Sequence, residues 1–132
     1  MNRKNILFLS NRGLLPITDG HTRRSYNILK GLSKNNNICL LSMFEKPEEV
    51  SFKHISILKK LCHNVEFIKS PPKNFSFGSL LRLARSLFSL KPYTIWRHYS
   101  KHFYSCVNEK INSNYFDIVH CDVLPLCYTI LN

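Results

Sequence analysis

The stretch from Asn5 to Leu32 constrains the fold of this chain most, because it reads as a strand, a loop and a helix in succession. The run Ile6–Leu9 is apolar throughout, which is typical of a parallel strand covered on both faces. From Thr22 onward apolar residues recur at helical spacing, and Thr22 is predicted to cap the helix through its hydroxyl group. This unit predicts an α/β domain built on a parallel sheet.

The loop between this strand and helix is a candidate anion site. At the carboxyl edge of a parallel sheet, such a loop presents backbone N–H groups and the positive end of a helix dipole, which suits a phosphate group. The predicted substrate-binding residues in this part of the chain are Gly13, Asp19, Gly20, Arg23 and Arg24. The alternative is that the strand, loop and helix simply begin an α/β domain and bind nothing.

Three more apolar segments extend the predicted parallel sheet, namely Ile38–Phe44, Val65–Ile68 and Phe116–Cys121. Residues 34–37 predict a turn in which an asparagine takes a left-handed C-cap conformation. Residues 45–62 predict one helix that starts around Pro47, since proline and two following glutamates suit a helix N-terminus. The fold class is therefore α/β, with a Rossmann-like, doubly wound sheet.

The fourth predicted strand ends in polar residues. In doubly wound sheets this strand lies beside the first one, so its carboxyl end is predicted next to the first loop. We expect Asp122 to accept hydrogen bonds from ligand hydroxyls and His120 to bind a hydroxyl or a phosphate. The alternatives are that His120 packs in the core and that Asp122 caps a helix beginning near Leu124.

The chain is strongly basic, with a formal net charge of +11. No acidic residue lies between Glu66 and Glu109. A field of this sign attracts anionic membranes, nucleic acids, and nucleotide or pyrophosphate groups. A soluble domain with a lysine-rich composition carries the same charge without any such partner.

Residues 79–90 predict a basic amphipathic helix, with leucines on one face and Arg82 and Arg85 on the other. Such a helix suits an anionic membrane interface, and the alternative is that its apolar stripe packs on the sheet. Aromatic and basic residues also alternate over residues 96–111. That pattern allows base stacking, but core packing explains it equally and no nucleic-acid-binding motif is present.

The five cysteines form no CxxC pair, so the sequence predicts neither disulfides nor a zinc site, and it fits a reducing cytoplasm. No metal or cofactor is predicted. There is no signal-peptide pattern, and no apolar run approaches the roughly 20 residues that cross a bilayer. Dinucleotide, P-loop, zinc-protease and hydrolase motifs are likewise missing.

Several short motifs together resemble the amino end of the family 4 glycosyltransferases of the GT-B fold, and the sugar transferases of bacterial exopolysaccharide synthesis in particular. The matching segments are Ile6–Ser10, Pro16, Asp19-Gly20, Arg24–Asn27, Leu29–Leu32, Leu40–Ser42, Lys91–Tyr93 and Phe116–Asp122. One departure is that His21 follows Gly20, where many relatives have paired glycines.

The resemblance implies a retaining, metal-independent transfer of sugar from a nucleotide-diphosphate sugar to a glycan or lipid-linked acceptor. It implies a cytoplasmic protein, peripheral on the inner face of the cell membrane when its acceptor is lipid-linked. Residues 1–132 would cover an incomplete N-terminal, acceptor-side half of the GT-B fold. The C-terminal donor-binding domain would be absent, so we expect no transferase activity from this chain alone, and no catalytic residue is assigned. The alternative function is a non-catalytic, basic Rossmann-like module that binds an anionic membrane surface or nucleic acid.

Overall fold

The computed structural model describes residues 2–70, 77–88 and 100–131. Strands and helices alternate along these residues. The strands are β1 (Asn5–Ser10), β2 (Asn37–Phe44), β3 (Asn64–Lys69) and β4 (Ile118–Cys121). The helices are α1 (Gly20–Ser33), α2 (Phe52–Leu61), α3 (Phe77–Phe88), α4 (Lys101–Ser113) and the short α5 (Tyr128–Leu131). Short 3₁₀ turns span Pro47–Glu49 and Leu124–Cys127.

The strands of the described residues form one parallel sheet in the order β3-β2-β1-β4. In this register Ser10 lies opposite Ser42 on β2, and Phe8 lies opposite His120 on β4. The α/β fold class and the placement of the fourth strand beside the first are therefore confirmed. All strands point the same way, so their carboxyl ends share one edge of the sheet.

The sheet is covered on both faces, which explains why apolar residues follow one another without alternation in its central strands, as at Ile6–Leu9 and Ile38–Leu41. On one face, Ile6 and Phe8 pack with residues of α1 and α2 such as Leu29 and Leu58. On the other face, Leu7 and Leu9 pack with residues of α4 and of the turn after β4. Alternate residues of β1 thus belong to two separate apolar clusters, and β1 lies between them.

The predicted cap of α1 is wrong by three residues. Asp19 is the N-cap, and its carboxylate accepts a hydrogen bond of 2.8 Å from the backbone N–H of Thr22. The Thr22 hydroxyl in turn lies 3.2 Å from the backbone nitrogen of Asp19, which completes a reciprocal capping box. Thr22 therefore belongs to the first turn, and the helix begins at Gly20.

The helix predicted for residues 45–62 is also wrong, because the chain breaks it in two. A 3₁₀ turn at Pro47–Glu49 is followed by Val50 in an extended conformation, with φ −68° and ψ 124°. The α-helix starts only at Phe52. One reason for the break is that a β-branched residue such as Val50 loses side-chain freedom in a helix. In addition, the side chains of Lys46 and Glu49 form an ion pair of 2.6 Å across the short turn before it.

The left-handed asparagine predicted after α1 is not found. No non-glycine residue in the described segments has a positive φ, and the C-cap Lys34 is right-handed, with φ −62°. The side chain of Asn36 instead donates to the carbonyl oxygen of Leu32 at 2.9 Å. This bond adds to the one from the backbone N–H of Asn35 and pairs a carbonyl of the helix end without left-handed backbone.

Three other predicted boundaries shift. The fourth strand starts at Ile118 rather than Phe116, because Asp117 accepts a 2.8 Å hydrogen bond from the backbone of Asn5 beside the start of β1. The amphipathic helix spans Phe77–Phe88. The helix predicted within residues 96–111 spans Lys101–Ser113. Residues 89–99, which include the Lys91–Tyr93 motif, lie outside the described residues.

Gly13 is held in the β1–α1 loop by close packing rather than by an unusual backbone. A Cβ atom at this position would overlap the ring of Phe44 at the end of β2. The φ of Gly13 is not positive, so the constraint is steric. At Gly20 and Gly31, by contrast, a Cβ would meet nothing within 4 Å.

We predict that Gly13→Ala lowers the free energy of unfolding by about 1–3 kcal/mol, the usual cost of forcing an extra methyl group into a packed site. Gly31→Ala, inside α1, is the matched control and should raise it by about 0.5–1 kcal/mol, because alanine favours the helix. Urea unfolding followed by circular dichroism measures both. Equal effects of the two substitutions would contradict the packing role of Gly13.

Candidate ligand site at the carboxyl edge of the sheet

The candidate site lies at the switch point of the sheet. From β1 the chain builds β2 and β3 on one side, and it then returns to place β4 on the other side of β1. In open α/β sheets, the crevice outside the carboxyl ends of two such strands is the usual ligand site. Here that crevice lies between the end of β1 at Ser10 and the end of β4 at Cys121.

Asp122 is the centre of this crevice, and its side chain is only 1% exposed. Its backbone N–H donates to the carbonyl of Leu9 at 2.9 Å, which continues the β4–β1 pairing. The hydroxyl oxygen of Ser25 on α1 lies 2.7 and 2.8 Å from the two carboxylate oxygens of Asp122. Its single proton is donated either to this carboxylate or to the carbonyl oxygen of His21. A buried carboxylate thus joins β4 to α1.

Arg24 adds a positive charge to this carboxylate from the solvent side. Its Nη2 atom donates to the backbone carbonyl of Asp122 at 3.1 Å and lies 3.5 Å from Oδ1 of the same residue. More than half of the Arg24 side chain, 57%, remains exposed. The guanidinium group can therefore meet a ligand without leaving Asp122.

His21 approaches Asp122 from the first turn of α1. Its Nε2 atom lies 3.1 Å from Oδ2, within ion-pair distance when the ring is protonated. The contact lies off the direction that a hydrogen bond requires, so the buried Nε2 atom has no hydrogen-bond partner in the protein. The 3.1 Å distance therefore describes a close approach without a hydrogen bond.

His120 lies on the strand beside this cluster. Its ring stacks on Phe8 with 4.4 Å between ring centroids and 30° between the planes. Burial lowers the pKa of His120, the Asp122 charge opposes that shift and Arg24 adds to it, so the imidazole favours its neutral form. Its buried Nε2 atom also has no hydrogen-bond partner in the protein.

The loop after β1 is fixed by two serine hydroxyls. Ser10 and Ser42, which are neighbours across β1 and β2, both donate to the carbonyl oxygen of Arg12 at 2.8 Å. The Arg12 guanidinium reaches the Asp19 carboxylate at 3.0 Å. The hydrogen bond from the Thr22 backbone, the Thr22 hydroxyl and the Arg12 charge lower the pKa of Asp19, so this cap stays ionised.

Unpartnered polar atoms mark this edge of the sheet. Among the described residues, four buried side-chain atoms have no hydrogen-bond partner, namely Asn11 Oδ1, His21 Nε2, Ser70 Oγ and His120 Nε2. Each residue lies at or just beyond the carboxyl end of a strand, or at the start of α1. Buried polar groups are normally paired with protein or with water, so each of these four atoms can still make a hydrogen bond to water or to a polar ligand.

The structure brings some of the predicted site residues together and separates others. Arg24 contacts Asp122 at the switch point, and His120 lies on β4 within the electrostatic influence of both. Asp19 caps α1. The space beside the backbone of Gly20 is open, because a Cβ atom there would meet nothing within 4 Å. Gly13 packs on Phe44, whereas Arg23 is exposed one position before Arg24.

Sequence reasoning missed the roles of Ser10, His21 and Ser25. Ser25 is fully buried, and it sits on the face of α1 that meets the sheet, where a polar residue needs a partner. This need for a partner was the signal in the sequence from which the role of Ser25 could have been predicted. The predicted capping role of Asp122 is wrong, since Val123 is the cap of the following 3₁₀ turn and no side chain caps it.

Metal chemistry receives no support from the described residues. Residues 2–70, 77–88 and 100–131 contain no group of three or more histidine, cysteine or acidic side chains placed to hold an ion. All five cysteines are free thiols. Burial raises the pKa of Cys62 to about 12, which keeps that thiol protonated and unreactive.

The second candidate surface is α3. Four of its apolar side chains are exposed, by 55% at Leu80, 54% at Leu81, 79% at Leu87 and 94% at Phe88. All four are more than half exposed, whereas the sequence interpretation in which the apolar stripe packs on the sheet expects stripe residues such as Leu80 and Leu87 to be buried. In the described part of the chain, no helix has the length and apolar character to cross a membrane.

We predict that Ser25→Ala lowers the free energy of unfolding by about 1.5–3 kcal/mol, the usual contribution of a hydrogen bond to a charged group. Ser33→Ala, at the other end of the same helix, is the matched control. Its hydroxyl bonds only the carbonyl of Lys30, so we expect a loss below about 1 kcal/mol. Chemical unfolding at pH 7 measures both, and similar losses would show that the Ser25–Asp122 contact does not hold α1 to β4.

Comparison of the chain with protein-family models, with curated proteins and with solved structures finds no match. The α/β fold and the polar cluster at its switch point are therefore the findings from which a function has to be argued.

Proposed function

We propose that residues 1–132 form the acceptor-side portion of a retaining glycosyltransferase, which moves a sugar from a nucleotide-diphosphate sugar to a glycan or lipid-linked acceptor. The observation that carries the proposal is the cluster around Asp122 at the β1–β4 switch point. There Arg24 and His21 approach a buried carboxylate, with His120 beside it on β4, at the edge where parallel sheets bind ligands.

The chemistry of the cluster supports this proposal. Sugar transfer from a nucleotide diphosphate requires stabilisation of negative charge on the leaving diphosphate. The exposed guanidinium of Arg24 offers such a charge, and the open backbone at Gly20 allows close approach. The unused ring nitrogens of His21 and His120 suit hydroxyl or phosphate oxygens.

The resemblance assigns the remainder of the donor site to a second Rossmann-like half. Under the proposal, this chain contributes only part of the diphosphate contacts, so its own affinity for a nucleotide is weak. Purified chain should therefore bind a nucleoside diphosphate at millimolar concentration without turning over a nucleotide sugar. Measured sugar transfer by the 132-residue chain would contradict this division of roles.

We predict that uridine or guanosine diphosphate shifts the backbone NMR signals of Ser10, Ser25, His120 and Asp122. Arg24→Gln should weaken that binding about three- to tenfold, because one charged contact is lost. Arg23→Gln removes the same formal charge from the neighbouring exposed position and should change it less than twofold. Shifts confined to other surfaces, or equal losses in both variants, would contradict a site at the switch point.

A second candidate function is supported by α3, which combines exposed leucines and Phe88 with two arginines at positions 82 and 85. A helix of this composition binds the interface of an anionic membrane with its apolar side chains inserted and its arginines near phosphates. In this alternative the chain is a non-catalytic module that holds a partner at the membrane surface.

We predict that vesicles containing phosphatidylglycerol, but not neutral vesicles, sediment the chain. The double substitution Arg82→Glu and Arg85→Glu should abolish this binding. Lys59→Glu with Lys60→Glu changes the charge equally on the exposed side of α2 and should leave most of the binding intact. Equal losses in the two double variants would indicate attraction by net charge alone and would remove the specific role of α3.

A further inference from the structure

We infer that a pocket at the amino edge of the sheet binds a small primary ammonium ion that carries an apolar group. The pocket has a volume of about 480 Å³, which lies within the range of roughly 300–1,000 Å³ typical of small-molecule sites. It lies at the opposite ends of the strands from Asp122, so the inference goes beyond the proposed function and does not depend on it.

The pocket exists because β3 begins later than β2. The first residue of β3, Asn64, pairs with Cys39 of β2, whereas β2 itself begins two residues earlier, at Asn37. Asn37 and Ile38 therefore lie beyond the start of β3, and both line the pocket. Residues 114–116, which follow α4, line it as well.

Three asparagine side chains supply hydrogen-bond acceptors to this pocket. In Asn37, Asn64 and Asn114, the side-chain nitrogen donates a hydrogen bond of 3.1 to 3.3 Å to another group of the protein. The amide oxygen of each side chain takes no part in that bond and can itself accept hydrogen bonds. Three such oxygens in one pocket match the three N–H donors of a primary ammonium ion.

Two helices end at this pocket, and their dipoles favour a positive charge. Helix α2 ends at Leu61, two residues before the lining residue His63, and α4 ends at Ser113, directly before Asn114. The last carbonyl oxygens of a helix carry a partial negative charge, so they attract cations and repel anions. The pocket is therefore suited to an ammonium ion and unsuited to a phosphate or a carboxylate.

The basic residues of the chain do not cancel this preference. Lys110 lines the pocket, but its ammonium group is paired with the carboxylate of Glu66, which neutralises its charge locally. The net charge of +11 is spread over the chain, and at physiological ionic strength charges farther away than about 8 Å are largely screened. The amide oxygens and the helix ends therefore decide which charge the pocket accepts.

The pocket also offers surfaces to the apolar part of such a ligand. Ile38 and Phe116 line it, and the ring of Tyr115, another lining residue, is largely exposed. An aromatic ring face attracts a cation within about 6 Å and also packs against an apolar ring. The 2-phenylethylammonium ion combines the two groups and is therefore a suitable probe.

The test is an NMR titration of the 132-residue chain with 2-phenylethylamine at pH 8, where the amine is protonated and histidine side chains are mostly neutral. The ammonium ion should give saturable shifts at Asn37, Asn64, Asn114 and Tyr115 at millimolar concentration. The alcohol 2-phenylethanol lacks the charge and should bind at least about tenfold more weakly, and the anion 3-phenylpropionate should not saturate. Absence of saturable binding of the ammonium ion, or equal binding of the alcohol or the anion, would overturn the inference.

The trimethylated form of the same amine separates hydrogen bonding from charge, because it stays positive but has no N–H donor. It should bind more weakly than the primary ammonium ion, since the amide oxygens then have no hydrogen bond to accept. Equal or tighter binding of the trimethylated ion would overturn the role of the three asparagines.

Variants locate the contacts. Asn37→Ala and Asn114→Ala should each weaken binding of the ammonium ion about three- to tenfold, as expected for one lost hydrogen bond. The control Asn112→Ala removes the same group from an exposed position of α4 that does not line the pocket, and it should change the affinity less than about twofold. Unchanged affinity in Asn114→Ala, or shifts centred on Asn11 and Ser70 at the carboxyl edge, would overturn the assignment. If Asn37→Ala does not fold, Asn114→Ala and the shift map of the unaltered chain decide.

The outcome is independent of the nucleotide titration. That titration maps to Ser10, Ser25, His120 and Asp122, whereas the amine titration maps to the amino edge of the sheet. Failure of one therefore leaves the other standing.

Discussion

The contact between the Asp122 carboxylate and the Ser25 hydroxyl is the interaction on which the candidate site depends. It joins the end of β4 to the first half of α1, two elements separated by nearly a hundred residues in the chain. A buried carboxylate is stable only when its oxygens are paired, so the contact fixes both elements at the same point. Arg24 and His21 approach the same carboxylate from the same helix.

This arrangement explains why polar groups without partners collect at one edge of the sheet. The amino edge satisfies its polar groups locally, as Asp117 does with Lys4 and with the backbone of Asn5. At the carboxyl edge, buried polar atoms of Asn11 after β1, Ser70 after β3 and His120 near the end of β4 have no hydrogen-bond partner in the protein. Most of the unpartnered buried atoms in the described residues thus lie at the carboxyl edge, the edge that the Ser25–Asp122 contact also stabilises.

The sequence predicted the sheet well because buried parallel strands need continuous apolar runs, which are visible without any tertiary information. Boundaries and caps were harder. Asp19 and Thr22 both can cap a helix, and only the backbone geometry decides that Asp19 does so. The helical pattern places Ser25 on the buried face of α1, but its partner lies 97 residues away and no local pattern identifies that partner. The position of His120 and Asp122 beside β1 was predictable because strand order follows from the alternation of strands and helices, and their role in binding stays a prediction.

The most direct test of the central claim, that the carboxyl edge around Asp122 is a ligand surface, is a crystal structure of the chain soaked with a nucleotide-diphosphate sugar. Our account predicts electron density for the diphosphate within hydrogen-bond distance of Arg24 and of at least one of the two histidine rings, His21 or His120. Density only at the opposite edge, near Asn37 and His63, or an unliganded carboxyl edge at saturating concentration, would contradict it.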